Sequence, residues 1–161
     1  MLFHQYASPK VFYALAGQLI PWFAVATLIL LGYGLYQGLF VAPPDYQQGE
    51  SVRIMFIHVP AAWMSMFAYM VMASAGAIGL IWNMRLADMA ATAAAPIGAS
   101  FTLLALVTGS LWGKPMWGTW WAWDARLTSE LLLFFLYLGF MALQAAIDEP
   151  RRAARAGALL A

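Results

Sequence analysis

The stretch Pro60–Trp82, PAAWMSMFAYMVMASAGAIGLIW, contains no charged side chain. At a rise of 1.5 Å per residue it makes a helix of about 30–35 Å, enough to cross a hydrocarbon core of about 30 Å. It reads as a membrane span. Working outward, three more apolar stretches of similar length follow the same pattern: Pro21–Ala42, Ala90–Trp112 and Leu127–Ile147. The fold class is therefore all-α, a polytopic integral membrane helical bundle with four transmembrane helices, and residues 1–161 read as a single membrane domain. Composition agrees, since 64% of the residues are hydrophobic and only 9% charged, against about 25% charged in a soluble domain. Pro21, Pro60 and Pro96 fall at or near the starts of three spans, where a missing N–H costs little. Val11–Ile20 is also apolar, and either lengthens the first span or lies at the interface. No small-residue cleavage site follows the first apolar run, which reads as a retained helix rather than a signal peptide.

Polar pieces separate the spans: an N-terminal segment with Lys10, the loop Pro43–Arg53, the loop Asn83–Met89 with Arg85, the segment Gly113–Arg126, and the tail Asp148–Arg155. Placing both termini inside puts Lys10, Arg85, Arg151, Arg152 and Arg155 on the cytoplasmic side and leaves Arg53, Lys114 and Arg126 outside, as the positive-inside bias favours. In that topology the loops before the second and fourth spans face one outer compartment, so His58 and the segment before the fourth span share a membrane face. Small residues crowd the second and third spans (Ala73, Ser74, Ala75, Gly76, Gly79; Ala91, Ala93, Ala94, Ala95, Gly98, Ala99), which suits close helix packing.

Several classes of function are excluded. A net charge of +1 gives no footprint for nucleic acid, and the absence of cysteine removes disulfides, thiolate metal sites and covalent haem attachment through this chain. No phosphate-binding loop, zinc-protease motif or nucleophile elbow is present. No chain of charges runs through the spans, which argues against a proton pump or ion channel.

The densest signal is Trp112-Gly-Lys-Pro-Met-Trp117-Gly-Thr-Trp120-Trp121-Ala-Trp123-Asp124-Ala-Arg126, which holds five of the eight tryptophans. Tryptophan favours the headgroup level, so one reading is an interfacial belt. The other is a ligand platform: in a helix Trp117, Trp120, Trp121 and Asp124 would share one aromatic face, able to stack on a planar apolar ligand that Asp124 or Arg126 orients. Asp124 also stands where the N-cap of the fourth helix is expected. Arg126 and Glu130 have the spacing of a helical ion pair, and Glu130 lies about a turn into the span, where ionisable groups are paired or functional. His58 precedes Val59-Pro60 at the outer edge of the second span. Its imidazole is either bonded to a neighbouring backbone group or a ligand for a metal or haem iron. His4, near the terminus, reads as solvated.

From Trp117 to Ser129 the sequence, WGTWWAWDARLTS, resembles the WWD-motif haem-handling proteins and, among them, the CcmC family of bacterial cytochrome c maturation. Ala42-Pro-Pro-Asp-Tyr-Gln-Gln-Gly49, Ile57-His-Val-Pro-Ala-Ala62, Ala95-Pro-Ile-Gly98 and Leu106–Trp117 carry the resemblance further, so that it covers the chain from about Pro9 onward. The related cytochrome c synthetases typically continue the motif with Asp-Pro-Lys-Glu, which is absent here.

The resemblance implies a multi-pass protein of the bacterial inner membrane, N-terminus cytoplasmic, with its haem site on the periplasmic face. It implies haem b as non-covalent cargo, with His58 as the axial ligand to the iron. Trp117, Trp120, Trp121 and Trp123 would form the platform, with Asp124 and Arg126 as polar partners. The implied partners are the haem chaperone CcmE, the ATPase subunit CcmA, the second membrane subunit CcmB, the small single-span CcmD and the bilayer, with no nucleic acid. The expected role is haem binding and transfer rather than an enzymatic reaction. Its rivals are a WWD-type haem–protein ligase and a structural permease subunit without a haem site. Family members have six spans, and a second histidine in their last outer loop supplies the opposite axial ligand. The four spans here read as the N-terminal part, an incomplete haem site, and Ala156–Ala161 reads as the opening turns of a further helix.

Overall fold

The structure, a computed structural model, describes residues 8–161; His4 lies outside the described residues. Four helices are long and apolar enough to cross a membrane: Pro9–Val41, Glu50–Trp82, Arg85–Trp117 and Ala125–Ala146. Their regular α-helical parts are α1 (Pro9–Tyr36), α2 (Met55–Trp82), α3 (Arg85–Trp117) and α4 (Ala125–Ala146), and a shorter α5 (Pro150–Leu160) follows. A π turn over Gln37–Val41 ends the first, and a 3-10 turn over Glu50–Ile54 leads into the second. Among the described residues there is no β-strand, and the only bridge is the tight turn Asp45–Gly49.

Three helices start well before the prolines expected to open them. Pro21, Pro60 and Pro96 all lie inside helices, as does Pro115. The reason is the solvent. In lipid an unpaired backbone group has no water to turn to, so continuing the helix through a proline, with one bond forgone, is better than stopping there. The first apolar run Val11–Ile20 accordingly belongs to α1.

The chain divides into two compact units, one reaching to Pro43 and the other Pro44–Ala161. The first contains α1, a continuous helix whose apolar residues cover its whole circumference. The second is a bundle of α2–α5. One stripe of α2 (Ala61, Ser65, Ala68, Met72, Ala75, Gly76, Gly79) is buried at helical spacing, and so is a stripe of α3 (Ala91, Ala94, Ala95, Gly98, Ala99, Thr102). Such small side chains bring two backbones close, which is where helix association in lipid finds its van der Waals contact. Tyr137 and Phe140 of α4 fill the remaining space. The Tyr137 ring lies against Gly98, where a Cβ would overlap it, and its hydroxyl donates to the Ser65 carbonyl at 2.7 Å. The arginine-bearing tail is ordered as α5, which turns back against α2 and α4. Ala153 and Gly157 are buried on that contact, and Gln144 Nε2 donates to the Ala153 carbonyl at 3.1 Å.

Candidate functional site

At one end of this bundle α2, α3, the connection 118–124 and the start of α4 enclose a cleft of about 370 Å³. Its walls include His58, Gly109, Trp112, Trp117, Trp120 and Arg126. Small-molecule sites span roughly 300–1,000 Å³ and are mostly apolar with a few placed polar groups. This cleft fits that description.

The connection is built by three local devices. Gly118, at φ 77°, takes the left-handed conformation that ends α3, and its amide bonds back to the Lys114 carbonyl. Thr119 Oγ1 then donates to the Trp121 carbonyl at 2.8 Å and accepts from the Trp121 amide at 3.3 Å, closing a tight turn. Finally Asp124 caps α4, its Oδ1 accepting from the Leu127 amide at 2.9 Å. The whole segment folds back onto α3 at Gly113, where an added Cβ would come within 3.1 Å of the Thr119 carbonyl. Residues 118–124 are therefore not helical, and the single aromatic face expected of a helix from Trp117 to Asp124 does not form.

The tryptophans divide instead. Trp117 and Trp120 line the cleft, and each is faced by a cation: the Arg126 guanidinium 5.6 Å from the Trp117 ring centre, and Lys114 Nζ 5.9 Å from that of Trp120. Trp121 and Trp123 pack edge to face at 5.4 Å and are not among the cleft's lining residues. The Trp121 indole N–H is buried with no partner among the described residues.

Arg126 pairs with Asp124 at 2.8 Å rather than with Glu130. The Leu127 amide and the Arg126 side chain together hold the Asp124 carboxyl below the usual carboxylate range. Glu130 is left with one carboxylate oxygen buried and without a hydrogen-bond partner among the described residues, a turn beneath Leu127 of the cleft wall.

His58 is held from α3. Its Nδ1 lies 3.0 Å from Thr108 Oγ1, and Trp112 meets its ring edge-on with centres 5.7 Å apart. Trp112 is anchored in turn, its indole N–H donating to Gln48 Oε1 at 3.0 Å. Gly109 leaves room for the imidazole, since a Cβ there would stand 3.1 Å from His58 Cε1. His58 Nε2 makes no hydrogen bond among the described residues.

An imidazole, indole walls and a guanidinium thus meet at one cleft. The family model for Heme exporter protein C matches residues 2–161. This chain belongs to the haem exporter protein C family. It is 63% identical over 154 residues to "Heme exporter protein C" of Bradyrhizobium diazoefficiens, covering 96% of this chain and 58% of that protein. It is 57% identical over 157 residues to the protein of that name from Escherichia coli K12, covering 98% and 64%. The match to the Paracoccus denitrificans protein of that name is 47% over 150 residues, covering 93% and 62%. The chain thus spans about three fifths of the length of these haem exporter C relatives.

Of the residues singled out from the sequence, the fold gathers His58, Trp117, Trp120, Asp124 and Arg126 around one cleft and leaves Trp121 and Trp123 beside it. Thr108, Gly109, Gln48 and the role of Trp112 were not legible. Trp112 and Thr108 are one turn apart on α3, but nothing in the sequence pairs them with a histidine fifty positions away.

Proposed function

We propose that this protein binds haem b non-covalently, with His58 as axial ligand to the iron, and presents it to the haem chaperone CcmE. The observation that carries this reading is a histidine whose Nε2 has no partner among the described residues, standing in a tryptophan-walled cleft. The residues fit the cargo. An imidazole nitrogen binds haem iron, indole faces accept a flat macrocycle, and Arg126 offers planar, charge-assisted bonds to a propionate. The printed name of the relatives, Heme exporter protein C, supports the same cargo.

In this reading the iron's coordination chemistry comes with the haem, while the chain binds, orients and releases it without an enzymatic step. The cleft faces the periplasm, the N-terminus lies in the cytoplasm, and the protein sits in the bacterial inner membrane. It works beside the ATPase CcmA, the membrane subunit CcmB and the small single-span CcmD. Trp117 and Trp120 form the stacking surface, and Asp124 steadies both α4 and Arg126.

Haem titration of the purified protein in detergent tests the proposal. A red-shifted Soret band that disappears in His58→Ala, with co-purification of CcmE only when haem is present, is the expected result. An unchanged band in the His58→Ala variant overturns the assignment of the ligand.

A further inference from the structure

What an imidazole can do depends on which ring nitrogen holds the proton. A hydroxyl has one hydrogen to donate. That of Thr108 is directed at its own helix, toward the Leu104 carbonyl at 2.6 Å, with the Ala105 carbonyl at 3.3 Å as a weaker second acceptor. Toward His58 Nδ1, at 3.0 Å, the Thr108 oxygen can therefore only accept. Nδ1 faces an acceptor and so carries the hydrogen; Nε2 then holds the lone pair.

We propose that Thr108 is a positioning residue: its hydroxyl, committed to its own helix, fixes His58 in the Nδ1–H tautomer and leaves Nε2 unprotonated for a ligand. The surroundings fix the ring plane as well as the proton. Gly109 lets the imidazole lie close to α3, and Trp112, pinned by Gln48, closes its edge. Donation of the distal N–H to a fixed acceptor also raises the basicity of the ligating nitrogen, and losing such a partner typically lowers affinity 10–100-fold. The consequence for haem rests on the function proposed above. The tautomer does not, because it belongs to the haem-free protein.

Nitrogen-15 NMR of histidine-labelled protein in detergent, without haem, reads the tautomer directly. The expected spectrum shows a protonated Nδ1 and a bare Nε2 for His58. In Thr108→Val both tautomers should be populated and haem affinity should fall roughly 10-fold, while Thr108→Ser, which keeps the hydroxyl, should match the parent on both counts. Helical circular dichroism of each variant shows that the fold is retained. A protonated Nε2 in the parent protein overturns the proposal, and so does a Thr108→Val variant with an unchanged tautomer, or one whose haem affinity is unchanged although His58→Ala abolishes the haem band. If instead His58→Ala leaves the haem spectrum untouched while the tautomer result holds, it is the haem-ligand reading that fails and not the assignment of Thr108.

Discussion

The two ends of the α2–α5 bundle carry two clefts, and the larger one is the less specific. At the α2–α3 turn a groove of about 930 Å³ is lined by Arg85, Arg151 and Arg155 and equally by Asp88, Asp148 and Glu149. Its charges balance within the lining. At the other end the cleft of about 370 Å³ holds an imidazole whose Nε2 has no partner among the described residues, three indole walls and one ion pair. Volume measures how much can enter. Unmet bonding capacity in a shaped apolar setting measures what is held, and at the smaller cleft it belongs to an imidazole nitrogen beside indole rings.

The sharpest way to break this contrast is to remove the free nitrogen. His58→Ala should lower haem affinity more than about 100-fold, since loss of a ligand exceeds loss of its supporting partner, whereas Arg151→Ala in the larger groove should leave haem titration unchanged. Comparable losses from both would erase the distinction. Crowding the imidazole comes next. Gly109→Val should displace the ring or the helix at about 1–3 kcal/mol, an overpacking cost, and reduce haem affinity about 10-fold with helical content preserved. A smaller effect separates the tryptophans within the one end. Trp117→Ala should weaken haem binding by about 0.5–1.5 kcal/mol and Trp123→Ala by much less. The reverse order in the same titration would mean the platform lies on the Trp121–Trp123 pair.

The smallest effect is a pH dependence at the cap of α4. Asp124 is held below the ordinary carboxylate range by the Leu127 amide and by Arg126. A carboxyl depressed in the folded state contributes stability above its unfolded value and loses it as the pH falls through the folded one. Hydrogen exchange at the Leu127 and Thr128 amides should therefore gain protection-loss only in acid, below the usual carboxylate range, and Asp124→Asn should flatten that profile. Identical pH profiles for parent and variant would remove the cap from the account.

Apolar runs as long as the bilayer is thick, only the fourth of which carries a charged residue (Glu130), made the four membrane-crossing helices legible, because in lipid length and polarity leave few alternatives. Helix starts were not, since proline is a stop signal in water and a tolerated interior residue in lipid. The cap at Asp124 was readable from one residue ahead of an apolar run, and Gly118 ends α3 where only a residue at home in positive φ could. The helical aromatic face was not a sound expectation for the same reason: a glycine in the middle of the motif broke its periodicity. His58 and the tryptophans stood out as residue types. The Thr108–His58 contact did not, because threonine on a buried helix face more often bonds only to its own backbone, as Thr102 does to the Gly98 carbonyl.

Both clefts take a wall from the same helix. Asp88, Met89 and Thr92 of α3 line the larger groove, and Gly109, Trp112, Gly113 and Trp117 line the smaller one. A helix of 33 residues is a rod of roughly 50 Å held by a ladder of hydrogen bonds. Such a rod resists compression far more than it resists rolling or sliding against its neighbours. Thr108, Gly109 and Trp112 are therefore one mechanical part with Arg85 and Asp88. An axial slip of α3 at the groove that carried past Pro96 would shift the imidazole's hydroxyl partner, its flat bed and its indole edge in a single step.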